Sequence, residues 1–172
     1  MRILGIDPGY AIMGWGVIDK KGSSFVPVAY GSIETDKDMP MPDRLKHLYS
    51  SLMDIIAEYD PEEVSIEELY FNNNAKTAIF VGQARGVALL ACINSGLDIF
   101  EYTPLQIKTA MTGFGGAEKK QIQAMVKMIL NLEAVPKPDD TADALAMAIC
   151  HAHTSGSSIG RLNSMIKEQF GE

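Results

Sequence analysis

Acidic residues stand where predicted strands end and a predicted helix begins in this 172-residue chain. Asp7 follows the mostly apolar run 2–6 and precedes a Pro-Gly turn, which predicts a carboxylate at the carboxyl end of a buried strand. Glu67 closes another short strand-like run, and Asp140 and Asp143 are three residues apart at a helix start, on one helix face. Sites in open α/β sheets lie at such strand ends, so the four acids are candidates for one site.

Each of these acids also has an ordinary structural interpretation. Asp is common in turns, so Asp7 could simply end its strand. Asp140 could cap its helix, and Asp143 could complement the helix dipole. Asp139 lies four residues before Asp143 and could reach the same face, so spacing alone leaves open whether Asp139 or Asp140 belongs to a site.

Convergence of four carboxylates would have an electrostatic consequence. Two like charges about 4 Å apart repel by about 1 kcal/mol in water and about 4 kcal/mol at an effective dielectric constant near 20. Several such pairs are a large load on a domain that is stable by roughly 5–15 kcal/mol. Divalent cations would relieve it, and oxygen ligands without His or Cys favour Mg²⁺ or Mn²⁺. Two such ions in an acidic site indicate phosphodiester hydrolysis.

The order of predicted elements indicates how these acids are positioned. Three strand-like runs are followed by a helix, a strand, a helix, a strand and then helices, which predicts an α/β domain with a mixed sheet. We expect a ribonuclease-H-like five-stranded sheet flanked by helices, with the first strand in the middle, so that Asp7 and Glu67 end neighbouring parallel strands. The predicted strands cover 2–6, 11–19, 25–34, 64–69 and 98–102, and the helices 44–59, 75–95, 104–111, 118–132 and 139–153.

Length and composition favour one globular domain over residues 1–154, followed by a tail over 155–172 that could be a frayed helix or disordered. Hydrophobic residues make up 47% of the chain and charged residues 22%, as in ordinary globular proteins. No apolar run is long enough to cross a membrane, and no secretion signal is evident. Cys92 and Cys150 lie in apolar helical stretches and are expected to be buried thiols in a reducing compartment, which favours a cytoplasmic protein.

Charge is distributed unevenly along this acidic chain, whose formal net charge is −7. Residues 1–71 carry six basic and thirteen acidic side chains, whereas residues 72–138 carry seven basic and four acidic ones. The middle third could therefore present a basic surface. Gly82 and Gly86 lie four apart in the helix predicted there, and each costs roughly 1 kcal/mol relative to Ala. A close contact, with the sheet or with a second subunit, would offset that cost.

Five stretches, in order, resemble the RuvC family of Holliday-junction resolvases. They are LGIDPG at 4–9, SIEELY at 65–70, VGQARGVALLA at 81–91, GFGGAEKKQIQ at 113–123 and DDTADALAMAICHAH at 139–153. Together they span residues 4–153, which is nearly everything except the tail. The resemblance implies an endodeoxyribonuclease that nicks four-way DNA junctions symmetrically in recombination and repair. It also implies a homodimer, and RuvA and RuvB as branch-migration partners.

The resemblance also implies a site. Its catalytic and metal-binding acids are Asp7, Glu67, Asp140 and Asp143, holding two Mg²⁺ ions, with Mn²⁺ as an alternative. The D-x-x-D spacing favours Asp140 over Asp139.

The family's motifs also place DNA-binding residues. Tyr70 matches an aromatic position thought to stack at the junction, and it could equally pack on the following helix. Lys108 and Lys119 match basic positions that would contact phosphate, and Arg85 could contact DNA or a partner helix. A ribonuclease-H-like nuclease acting on RNA is the alternative, and the GQARG helix and the basic 113–123 segment favour the junction resolvase.

Overall fold

The computed structural model describes residues 1–68 and 75–155, with the backbone alone at 75–77. Within these residues, five strands and five helices follow one another in the predicted order. They are β1 Arg2–Asp7, β2 Ile12–Lys21, β3 Ser24–Glu34, α1 Met41–Tyr59, β4 Glu63–Glu67, α2 Ala75–Asn94, β5 Asp98–Tyr102, α3 Pro104–Thr112, α4 Lys119–Ile129 and α5 Asp139–Thr154.

The five strands form one mixed sheet in the order β3-β2-β1-β4-β5, so the first strand lies in the middle as predicted. β1, β2 and β3 form an antiparallel meander, whereas β1, β4 and β5 are mutually parallel. Ile6 pairs with Ile66, which brings Asp7 and Glu67 to the same edge of the sheet on adjacent strands. The ribonuclease-H-like fold class expected from the sequence is confirmed.

Helices cover both faces of the sheet, and strand alternation sends neighbouring residues to opposite sides. Leu4 packs in the core beneath α1 and α2 with Leu48 and Ala88. Ile3 packs in the core beneath α3, α4 and α5 with Ile107 and Leu145. Two apolar layers therefore fix the helices that carry the candidate site.

Glycines on β1 and β2 let α5 lie almost directly on the sheet. A Cβ on Gly5 would stand 2.0 Å from the carbonyl oxygen of Ala144, and a Cβ on Gly14 would stand 2.0 Å from that of Asp140. Real Cβ atoms essentially never approach so closely, so any side chain would displace the helix. The sequence therefore has glycine at the positions of β1 and β2 where the backbone of α5 packs against the sheet.

Helix α3 begins as its sequence predicts. Thr103 accepts a hydrogen bond from the backbone N–H of Gln106, whose side chain accepts one from the N–H of Thr103, and Pro104 occupies the first turn. Gly113, with φ +74°, ends the helix in a left-handed cap. Among the helices of the described residues, none is long and apolar enough to cross a membrane.

Candidate active site

A cavity of about 220 Å³ lies at the carboxyl ends of β1 and β4. Three of the four predicted acids face it, together with the two predicted lysines and an apolar floor. The lining residues are Asp7, Glu67, Asp143, Lys108, Lys119, Pro104, Ile107, Ile122, Ala146 and Met147.

The sheet and α5 position the acids from two directions. Asp7 and Glu67 are the last residues of β1 and β4, which pair in parallel. Asp143 lies in the first part of α5, which is held against β4 by the buried hydroxyl of Ser65, donating to the carbonyl oxygen of Met147 at 2.8 Å. The predicted meeting of the strand-end acids with a helix N-terminus is therefore seen in the structure.

The carboxyl groups in this cavity destabilise one another's charged forms. Burial raises the pKa of Asp7 from 3.8 to about 7, with further contributions from Asp143, Asp140 and Glu67. Burial also raises the pKa of Glu67, and the charge of Asp143 adds to that shift. The charged forms of these carboxyl groups are therefore disfavoured in the cavity, and a cation bound beside them would stabilise them.

Lys119 supplies part of that compensation. Its Nζ donates to Asp143 at 2.7 Å and lies 3.8 Å from Asp139. Partial burial lowers the pKa of Lys119, but the hydrogen bond to Asp143 and the surrounding acids outweigh this and raise it. Burial likewise raises the pKa of Asp143, against the opposing effect of Lys119.

The structure separates the two aspartates that spacing alone left open. Asp139 turns outward to Lys137, whose Nζ lies 2.5 Å away, and this hydrogen bond lowers the pKa of Asp139. Asp140 does not line the cavity, but its charge contributes to the raised pKa of Asp7. Of the two, Asp140 is therefore the one coupled to Asp7.

The predicted DNA-binding residues fall into different places. Lys108 and Lys119 line the cavity. Arg85 is largely buried, its Nε donating to the backbone oxygen of Glu67 at 3.3 Å and its guanidinium pairing with Glu101 at 2.5 Å. Arg85 thus braces the end of β4. Tyr70 lies outside the described residues.

The donor set fits a hard divalent cation in its chemistry. Buried carboxylates that raise one another's pKa, with no His or Cys on the cavity wall, are the oxygen ligands that Mg²⁺ takes. Within residues 1–68 and 75–155, no three acidic, histidine or cysteine side chains already converge on one point. Because Lys119 Nζ sits on Asp143, an ion would have to replace that lysine as the partner of this carboxylate.

Sequence reasoning missed the residues that hold α5 against β4. Ser65 was not singled out, although it precedes Glu67 by two residues and shares its strand face. His151 was not singled out either. In the structure its Nε2 lies 2.6 Å from Glu63 and its Nδ1 2.6 Å from the hydroxyl of Tyr102. The period-two spacing of Glu63, Ser65 and Glu67 was the available signal.

Comparison with solved structures supports the fold. A structure titled "T. thermophilus RuvC in complex with Holliday junction substrate" matches with a TM-score of 0.85 and 29% identity, over 92% of this chain and 98% of that one. The yeast mitochondrial Holliday junction resolvase Ydc2 matches with a TM-score of 0.65 at 13% identity, over 98% of this chain and 86% of that one, which supports the fold alone.

Sequence comparison then identifies the family. The family model described as "Crossover junction endodeoxyribonuclease RuvC" matches residues 3–151. Curated proteins of that name are 59% identical in Alkaliphilus oremlandii, over 90% of this chain and 94% of the relative, and 57% identical in Brevibacillus brevis, over 88% and 92%. The chain belongs to the RuvC family, as the sequence motifs predicted.

Proposed function

We propose that this chain is a metal-dependent endonuclease that resolves four-way DNA junctions by paired symmetric nicks. The observation that carries the proposal is the single cavity in which Asp7, Glu67 and Asp143 meet Lys108 and Lys119, in a chain of the RuvC family. Its relatives are named as endodeoxyribonucleases, so the RNA-acting alternative is not favoured.

The four acids Asp7, Glu67, Asp140 and Asp143 are the proposed metal ligands. RuvC nucleases as a family depend on divalent metal ions, and we assign two Mg²⁺ ions here, with Mn²⁺ as the alternative. When bound, such ions supply the positive charge that favours an attacking hydroxide and the departing oxygen of a phosphodiester. The raised pKa of Asp7 supports this assignment, because it shows how strongly the site favours added positive charge.

The lysines and the cavity wall do the remaining work. Lys108 and Lys119 hold a phosphate against the acids, with Lys119 exchanging Asp143 for the phosphate as the site fills. The apolar floor at Ile107 and Ile122 keeps the dielectric low around these charges, which strengthens each contact. Tyr70 keeps its predicted stacking role. Arg85, which contacts the backbone of Glu67, acts by holding that strand end in place.

We propose a homodimer through one face of α2. Ile79, Leu90 and Ile93 are exposed large apolar residues on this helix. A Cβ on Gly82 or Gly86 would meet nothing within 4 Å, so these glycines also face open space. Together the five residues form a stripe at helical spacing that a second copy would cover. Two such subunits could present paired active sites to the pseudo-symmetric arms of a junction.

Gly86→Leu tests the interface. A bulky side chain at the point of closest approach should shift the protein toward monomer, as measured by light scattering across a concentration series. Ala57→Leu, an exposed position on α1, is the matched control and should leave the mass unchanged. An unaltered dimer with leucine at position 86 would place the interface elsewhere.

The nicking assay tests the function itself. A synthetic four-way junction, a matched linear duplex and an RNA–DNA hybrid are incubated with Mg²⁺ or with EDTA. We expect symmetric paired nicks in the junction alone, lost with EDTA. Cleavage of the hybrid without cleavage of the junction would favour the RNA-acting alternative.

Residues 1–154 form the proposed nuclease domain and 155–172 its tail. The family match over 3–151 supports this boundary. Interaction with RuvA and RuvB stays a prediction of the family resemblance. A cytoplasmic location follows as a proposal from the DNA-cleaving role of the relatives.

A further inference from the structure

Two large apolar side chains are exposed on α3 and on the loop that follows it. Phe114 is 65% exposed and Leu105 is 63% exposed. The Phe114 ring lies against Gly116, where an added Cβ would meet the ring at 2.5 Å, and Leu105 lies against Gly115, where an added Cβ would meet its Cδ1 at 2.3 Å. Two glycines therefore make room for these side chains on the surface, although burying either would stabilise the fold.

The loop that carries Phe114 is held in place. The N–H of Phe114 donates to the hydroxyl of Thr112 at 3.2 Å, and that hydroxyl lies 3.0 Å from the carbonyl oxygen of Phe114. The same carbonyl accepts from the N–H of Ala117 at 3.2 Å, and Gly113 caps α3 by donating to Thr109 at 2.8 Å. The glycine content predicts a flexible loop, but these hydrogen bonds give it a defined backbone. The ring is thus presented on a fixed support.

The position of this loop points to nucleic acid as the partner. The loop joins α3, which supplies Lys108 to the cavity, to α4, which supplies Lys119. Leu105 is three residues before Lys108 and shares its helix face. A strand whose phosphate is held by these two lysines would pass the loop that joins their helices. An exposed ring on a loop between two lysine-bearing helices matches a nucleobase on a phosphate backbone.

We propose that Phe114 is a stacking platform for an unpaired nucleobase next to the scissile phosphate, with Leu105 and the Gly115–Gly116 backbone supporting it. The inference rests on the proposed nuclease function and adds a second contact to the same site. An aromatic ring stacks on any base, so the platform would favour places where a base is free to leave its stack, as at a junction centre.

Junction binding by variants at Phe114 tests the platform. An Asp7→Asn background prevents cleavage during the measurement, and the junction carries 2-aminopurine at positions flanking the nick. Phe114→Ala should weaken binding by about 5- to 150-fold and abolish the fluorescence quenching that stacking causes. Phe114→Tyr should retain both, whereas Phe114→Leu, which keeps apolar bulk without a ring, should behave as alanine does. Met128→Ala removes an equally exposed apolar side chain from α4 and should bind as the parent does.

Several outcomes would overturn the inference. Parent-like binding and quenching by Phe114→Ala, or by Phe114→Leu, would show that no base stacks on the ring. A change in the oligomeric mass of Phe114→Ala in solution would show that Phe114 and Leu105 belong to a protein–protein interface instead. If the unmodified protein neither binds nor nicks the junction, the proposed function fails, and this result is distinct from a nuclease that works normally without Phe114. The ring is exposed, so thermal unfolding of all variants should match that of the parent.

Discussion

Helix α5 meets strand β4 at two places that handle charge in opposite ways. At the carboxyl end of the strand, Glu67 and Asp143 face the cavity, where the charge of each raises the pKa of Asp7. The charge of Asp143 also raises the pKa of Glu67. At the amino end, Glu63 lies 2.6 Å from the Nε2 of His151. The same pair of elements thus carries like charges that Lys119 only partly compensates at one end and a satisfied hydrogen-bond network at the other.

The far network is arranged for a neutral imidazole. His151 is 1% exposed and stacks on Phe100, with ring centroids 4.3 Å apart. Its Nδ1 accepts from the hydroxyl of Tyr102, and its Nε2–H donates to Glu63, an assignment that follows from the partners. Burial lowers the pKa of His151, while the carboxylate of Glu63 partly opposes that effect.

The spacing of residues along β4 matches the spacing along α5, which links the two ends of their interface. Two strand residues advance about 6.6 Å and four helical residues about 6.0 Å, so contacts on both elements can stay in register. Three contacts do so along β4 and α5, of which the outer two are the acidic pair and the histidine pair. Glu67 and Asp143 interact through their charges, whereas Ser65 is hydrogen-bonded to Met147 and Glu63 to His151. The hydrogen bonds of Ser65 and Glu63 therefore hold α5 in the position that keeps Asp143 at the cavity.

Asp7→Asn should have the largest effect, because it removes the most perturbed acid. Cleavage of the junction should be abolished while junction binding remains. In EDTA, the variant should be more stable at pH 8 by an amount on the order of 4 kcal/mol, since the pKa of Asp7 rises from 3.8 to about 7 on folding. Nicking assays and urea unfolding at pH 5 and pH 8 measure both effects.

The sign of the pH dependence follows from proton binding. Between pH 4 and pH 7 the folded protein holds a proton on Asp7 that the unfolded chain has lost, so stability falls as pH rises through this window. The variant should lose the part of that slope that Asp7 contributes, while the raised pKa values of Glu67 and Asp143 keep a smaller slope of the same sign. Asp139→Asn is the matched control, and it should keep most cleavage because Asp139 pairs with Lys137 outside the cavity. Near-normal cleavage by Asp7→Asn would remove Asp7 from the site.

Strand-end acids could be predicted from the sequence because they depend on local patterns. Asp7 follows an apolar run and a turn signal, and the order of strands placed it beside Glu67. The contacts of Arg85 and Lys119 could not be predicted, since they depend on which side-chain conformation the packed helices allow. The role of His151 could not be predicted from its own helix, because α5 is buried on almost every side and has no single buried face on which a histidine would stand out.

Gly14→Ala should have the next largest effect, because Gly14 lies where the start of α5 packs on the sheet, next to the acidic site. Its methyl would stand 2.0 Å from the carbonyl oxygen of Asp140, so the start of the helix must move. We expect a loss of stability of roughly 1–3 kcal/mol and a larger loss of cleavage. Gly31→Ala, whose methyl would meet the Trp15 ring at 3.2 Å, is the control and should cost less. Full activity in Gly14→Ala would show that the acids tolerate movement of α5.

His151→Phe tests the opposite end. The phenyl ring keeps the stacking on Phe100 but loses both hydrogen bonds, so we expect a loss of roughly 1–3 kcal/mol in urea unfolding, with cleavage at pH 8 largely retained. Because burial lowers the pKa of His151, the unfolded chain takes up a proton first, so His151 contributes a loss of stability below about pH 6.5 that opposes the gain from protonation of Asp7. That loss should shrink in the variant, and His47→Phe, an exposed position on α1, should leave it unchanged.

Ser65→Ala should have the smallest effect and is the most direct test of the link between the two ends. Its hydroxyl is fully buried and makes one hydrogen bond across the interface, so its loss should cost about 1 kcal/mol. If this contact keeps α5 in register, the Mg²⁺ concentration that gives half-maximal cleavage should be higher in Ser65→Ala than in the unmodified protein. Ser65→Cys keeps the bulk and a weak donor, so its half-maximal Mg²⁺ concentration should lie between those of the other two proteins. A purely structural serine would lower the melting temperature without moving the Mg²⁺ dependence. In that case the two ends of β4 would be independent, and the close packing of α5 on Gly5 and Gly14 would be enough to position the acids.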